Sequence, residues 1–201
     1  MDKLLDYLRE NFNEEDRWIR IVGADWFADD LTLNLSMQFD DRDAELWEVA
    51  CEGVVKELLC ARGASGLTLS AHSPLLKPLM EPHVPIMFSE NAMAPEALLG
   101  IVCASSLEVL GETANIPDFM NDGPGIGNLV GSKYGLLGRF PASLAERIID
   151  SLKGKPILVN ALPGHLPGHW DGTRHIEYRD LQVLRIGTSY VIARQFTAVR
   201  V

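Results

Sequence analysis

Three of the chain's five histidines, His165, His169 and His175, fall within eleven positions of the run LVNALPGHLPGHWDGTRH, with Asp171 among them and Glu177 just beyond. Imidazole nitrogens and a carboxylate are a donor set that zinc takes in catalytic sites, where three protein ligands leave a fourth position for water. The same groups also serve general acid/base chemistry. The spacing weakens both readings. His165 and His169 stand four apart, which aligns two rings only on a helix, and Gly164, Pro167 and Gly168 argue for a loop. The repeated Pro-Gly-His unit reads as two successive turns, with Asp171-Gly172 a third and Thr173 the cap of a helix that follows. Zinc held by His165, His169 and His175 therefore requires a loop that folds back until three side chains converge. Without that, the segment is a structural or interface loop.

Other chemistry-bearing patterns fail on register. In GPGIGNLVGSK, residues 123–133, Ser132 separates Gly131 from Lys133 and Ile126 occupies the position where a P-loop needs its first glycine. The dinucleotide fingerprint fails as well, because Asn128 or Val130 stands where its last glycine belongs. Ser73, Ser132 and Ser143 lie outside any G-x-S-x-G, and a cysteine in an apolar helix, as Cys103 is expected to be, is ordinarily inert. The carboxylate pairs Asp29-Asp30 and Asp40-Asp41 are adjacent in sequence, so they point apart instead of facing one cleft as glycoside hydrolysis requires. No spaced calcium-loop pattern occurs. No catalytic residue is assigned.

The charge is unevenly placed. Residues 1–60 hold sixteen Asp and Glu against six Lys and Arg, and residues 61–201 hold twelve of each, so the net charge of −10 belongs to the first 60 residues. A field of that sign repels nucleic acid and anionic membrane and speeds the encounter with a basic partner. Asp25, Asp29, Asp30, Asp40 and Asp41, with Trp26 and Trp47 as aromatic anchors beside Phe27, form the expected partner-binding set. Solvated outer faces and acids at a helix start, where they complement the dipole, account for the same residues structurally. The expected function is a non-enzymatic, cytoplasmic protein-binding module whose acidic face holds a basic protein partner, as inhibitors and immunity proteins do. The competing expectation is a metal-dependent or acid/base enzyme using His165, His169 and His175. A scaffold subunit that forms a homo-oligomer is a third.

These residues need a frame. A chain of 201 residues can bury a core as one domain, so a single α+β domain over 1–201 is expected. The N-terminus lacks the basic and apolar regions of an export signal, and the longest apolar run, Ala97–Leu107, is far short of the ~20 residues that cross a bilayer. Cys51, Cys60 and Cys103 form no C-x-x-C pair and fit a reducing compartment. Leu4, Leu5 and Leu8 predict a helix over 2–11, with Asp2 as its cap. Strands over 17–22 and 31–39, joined by GADWFADD, predict a β-hairpin. Leu46, Val49, Ala50, Cys51, Val54 and Leu58 predict a helix over 43–62, stopped by Gly63 and packed on the hairpin. A strand over 66–71, a proline-rich connection over 73–85 and a buried helix over 94–110 follow. Residues 112–140 are a long glycine-rich loop. A capping box, Ser143-Leu-Ala-Glu146, opens a helix to 152. A strand over 156–161, a short helix over 175–185 ended by Gly187, and a strand over 190–196 complete a mixed or antiparallel sheet with helices packed on it.

Overall fold

The computed structural model describes residues 1–12, 17–40, 42–111, 115–121, 123–170 and 172–201. In chain order its elements are α1 (Asp2–Asn11), β1 (Trp18–Phe27), β2 (Asp30–Gln38), β3 (Glu45–Glu52), β4 (Lys56–Leu58), β5 (Leu67–Ser70), α2 (Lys77–Met80), β6 (His83–Ser89), α3 (Pro95–Leu110), α4 (Ile126–Gly131), β7 (Gly135–Pro141), α5 (Ala142–Leu152), β8 (Leu158–Ala161), β9 (Gly168–Trp170), β10 (His175–Glu177), β11 (Gln182–Ile186), β12 (Ser189–Ala193) and β13 (Gln195–Arg200). The chain is α+β and mostly sheet, with its strands in four sheets among the described residues. It forms two compact units, residues 1–76 with 179–201, and residues 77–178. Among the described residues no helix is long and apolar enough to cross a membrane.

The first unit is built on two antiparallel sheets, β1-β2-β3-β13 and β4-β12-β11-β5. In β2 the strict alternation of apolar and polar side chains buries Leu31, Leu33, Leu35 and Met37 on one face. At roughly 1.5–3 kcal/mol for each fully buried side chain, this face alone is a large part of what holds the unit together. Leu4 and Leu8, one turn apart on α1, join the same core, as do Leu184, Ile186 and Val191 from the second sheet. The N-terminal helix starts at Asp2 with Met1 at the cap position, and Asp2 supplies no side-chain cap.

The helix expected over 43–62 is not present; β3 and β4 stand in its place. Trp47, Val49 and Cys51 oppose Leu35, Leu33 and Leu31 of β2, so the apolar residues that also fit a helical stripe alternate here with a period of two. The aromatic and β-branched side chains suit a pleated surface, and β2 offers an open edge to pair with, so tertiary pairing overrides local periodicity. The short helix expected over 175–185 is likewise replaced by β10 and β11. Gly187, expected as a helix stop, turns β11 into β12 at φ +60, and a Cβ there would lie 2.9 Å from that of Ala64.

β1 and β2 are joined by the two-residue turn Ala28-Asp29, in which Ala28 has φ 53. An L-residue with a Cβ pays about 1 kcal/mol for this left-handed conformation, and glycine does not. Ala28→Gly is therefore expected to raise stability, by up to about 1 kcal/mol in a urea titration; a loss of that size would show that the turn relaxes to another conformation.

The second unit packs α3, α4 and α5 against the antiparallel sheet β7-β6-β8, with Leu98, Val102, Phe140, Leu144 and Ile148 fully buried between them. The stretch 112–140, expected to be irregular, resolves into short elements: a turn at Ile116–Asp118, α4 and the start of β7. The Met120–Gly138 bridge ties this stretch to the sheet. The capping box at Ser143 and Glu146 is not formed. The cap position is Pro141, and the Glu81 carboxylate accepts the Ser143 N–H at 2.8 Å instead. A carboxylate from a neighbouring segment thus does the work that the local motif would have done.

Candidate functional site

Successive residues of a strand face opposite sides, so the register of the first sheet assigns its outer face. Asp25 and Phe27 of β1, Asp30, Thr32 and Asn34 of β2, Glu48, Ala50 and Glu52 of β3, and Thr197 and Val199 of β13 share that face. At the hairpin tip Asp25, Trp26, Phe27, Asp29 and Asp30 are all exposed, Phe27 at 83% and Trp26 at 49%. Asp30 also has a structural task, since its Oδ1 accepts the Gly53 N–H at 2.8 Å. Asp25 makes a longer bond, accepting from Asn34 Nδ2 at 3.3 Å. From Val22 to Asp41 the chain contains five Asp and no Lys or Arg; the cation that reaches this end of the sheet comes from outside the segment, the Arg194 guanidinium lying against Gly53, whose N–H Asp30 accepts.

The expected partner-binding residues are thus only partly brought together. Asp25, Trp26, Asp29 and Asp30 gather at the tip, whereas Asp40 lies beyond the opposite end of β2, roughly 30 Å away at ~3.3 Å per residue. Asp41 lies outside the described residues. Trp47 is a core residue, 5% exposed and 5.3 Å from the Tyr7 ring, which removes it from the anchors. Glu48 and Glu52, four apart, would share one face of a helix as well; what only the strand register of ELWEVACE supplies is their place on the sheet face that carries the tip's acids.

Below the outer face, at the Glu45 end of β3, two exposed arginines close over a largely buried carboxylate. The Glu45 carboxylate, on a side chain 11% exposed, stands 3.0 Å from Arg200 Nη2 and 3.7 Å from Arg42 Nη1. Arg42 donates to Tyr7 Oη at 3.1 Å, and its guanidinium lies 3.9 Å over the Phe39 ring. A cleft of about 470 Å³ beside the cluster is lined by Arg42, Asp43, Glu45 and Arg200, two cationic side chains against two anionic ones. That balance leaves little net charge to draw an ionic ligand, and the cluster reads as structural.

Burial pushes the Tyr7 phenol from its ordinary 10.0 to about 12, helped by the Glu45 carboxylate and opposed by Arg42 and Arg200. Burial likewise pushes the Cys51 thiol from 9.0 to about 12. In both cases the folded chain holds its proton more tightly than the unfolded chain does. Stability is therefore full below about pH 9 and falls as pH rises towards 12. Tyr7→Phe combined with Cys51→Ala is expected to flatten that alkaline decline in thermal melts; an unchanged slope would place the titrating groups elsewhere.

The histidines occupy separate places. His165 pairs through its backbone with His83, whose Nε2–H donates to Pro78 O at 2.7 Å. His169 and His175 belong to the two-stranded ribbon of β9 and β10, where His169 opposes Ile176 and His175 opposes Trp170, so their side chains leave opposite faces. The His169 ring stacks on Tyr178 with centroids 6.0 Å apart. The His175 ring lies over Gly168, where a Cβ would come within 2.8 Å of its Nε2. Asp171 lies outside the described residues. Among the described residues no three His, Cys, Asp or Glu side chains gather as a metal site. All three cysteines are free thiols; Cys51 lies in β3, so the helix expected to carry it with Cys60 is absent.

No family model matches the chain, and neither the curated proteins nor the solved structures include a match to it.

Proposed function

We propose that the chain is a non-enzymatic protein-binding module of the cytoplasm that holds a basic protein partner on the hairpin tip and the adjoining acidic sheet face, in the manner of an inhibitor or immunity protein. The observation that carries this reading is the tip itself: Trp26 and Phe27 stand exposed among Asp25, Asp29 and Asp30, with no Lys or Arg between Val22 and Asp41. Exposed aromatics among charged groups supply what interfaces need, a rigid apolar anchor within a charged rim. Glu48 and Glu52 extend the same sign across the sheet. The acids steer a cationic surface to the site, and burial of Phe27 and Trp26 then slows its release. Three free thiols agree with a reducing compartment. The test is affinity capture on immobilised protein, wild type beside Asp25→Lys/Asp29→Lys. A basic protein retained by the first and not by the second supports the reading; the same proteins on both refute it.

A further inference from the structure

Resting on that reading, we propose that the partner docks through an extended basic segment, which adds as a fifth strand to the free edge of β1 at residues 22–27. β1 is an edge strand of the sheet β1-β2-β3-β13. Its first half is covered, because Ile19 and Ala64 exchange both backbone bonds, at 2.7 and 2.9 Å. A bulge between Ile21 and Gly23 then shifts the register, and from Val22 to Phe27 the outer edge has no strand partner among the described residues. Phe27 and Asp30 flank the two-residue turn, so Phe27 and Asp25 bond inward to β2, and Ala24 and Trp26 direct their N–H and C=O groups outward. Both residues are exposed. Sheet edges are commonly blocked by lysine, proline or a covering element; among the described residues this edge has none of these past its bulge, only Asp25. An added strand would place alternate side chains beside Asp25 and Phe27 on one face and beside Trp26 on the other. The matching segment therefore alternates basic and apolar residues, and backbone bonds supply the docking.

The test follows amide hydrogen exchange by NMR on the full chain at low salt, with the synthetic heptapeptide Thr-Lys-Val-Lys-Val-Lys-Thr as probe. A control peptide of equal charge, with proline and glycine in place of its valines, cannot form a strand. Exchange at the Ala24 and Trp26 amides is expected to slow by at least about ten-fold with the strand-forming peptide and not with the control. Ala24→Pro, which removes an outward N–H and leaves the β2 ladder intact, is expected to abolish the binding. If both peptides bind equally through Asp25 and Asp29 while Ala24 and Trp26 exchange as in the free chain, strand addition is wrong and the acidic-face reading stands. If neither peptide perturbs the tip, both fall.

Discussion

Lysine in place of Asp25 and Asp29 is expected to slow association with the basic partner by about ten- to a hundred-fold at low salt. The melting temperature should stay within about 2 °C, since surface substitutions usually change stability by less than ~0.5 kcal/mol. Both carboxylates belong to exposed residues, and Asp25 has only the 3.3 Å bond from Asn34 to lose. Asp30 is the wrong residue to reverse, because its carboxylate caps the Gly53 N–H; Asp30→Asn keeps that acceptor and removes only the charge. Reversal at Asp40 serves as the control. Asp40→Lys changes the net charge as much as Asp25→Lys alone does, but at roughly 30 Å from the tip it lies about three Debye lengths away in 0.1 M salt. Stopped-flow association should therefore separate the tip from net charge: an Asp40→Lys effect as large as that of Asp25→Lys would mean that no localised site exists. The difference between wild type and tip variant should also shrink as salt is raised.

The largest stability loss is expected from Gly138→Ala. A Cβ at that position would lie 2.2 Å from the Phe119 carbonyl oxygen and 2.8 Å from the Phe140 ring. Neither neighbour can yield cheaply. The Phe119 oxygen accepts the Arg139 N–H at 2.8 Å and Asn121 N–H bonds to Leu137 O at 3.0 Å, so moving the segment breaks a backbone pairing. Phe140 is fully buried among the helices of its unit, and displacing it opens the core. The cost should match that of a large core truncation, about 3–5 kcal/mol by urea unfolding. Gly100→Ala is the matched comparison: it lies within α3 with nothing inside 4 Å of a new Cβ, and should gain roughly 0.5–1 kcal/mol from helix propensity. Equal effects of the two substitutions would contradict the close approach at Gly138.

What could be read from the amino acids alone was whatever a local pattern determines. β2 announces itself because Leu31, Leu33, Leu35 and Met37 alternate with polar residues, and α3 because an apolar run follows Pro95 and stops at Gly111. β3 was not legible as a strand. In ELWEVACE, Leu46 and Ala50 make the apolar residues fit a helix as well as a sheet, and only pairing with β2 decides. The same ambiguity hid Glu48 and Glu52 and misplaced Trp47 as a surface anchor. At the histidines the types suggested ligands, while the register of β9 against β10, which no spacing rule supplies, sends His169 and His175 to opposite faces. The run of five Asp without a cation from Val22 to Asp41 was visible at once; that Asp25, Asp29 and Asp30 meet at one turn and Asp40 does not depends on the length of β2.

The most direct test of the acidic-tip account is capture from a native lysate at about 50 mM salt on wild-type and Asp25→Lys/Asp29→Lys protein side by side, followed by elution with rising salt. The account predicts a protein of basic isoelectric point that is retained by the wild type, released as salt rises, and absent from the variant. A retained protein that is acidic, that resists salt, or that binds both forms alike would contradict it.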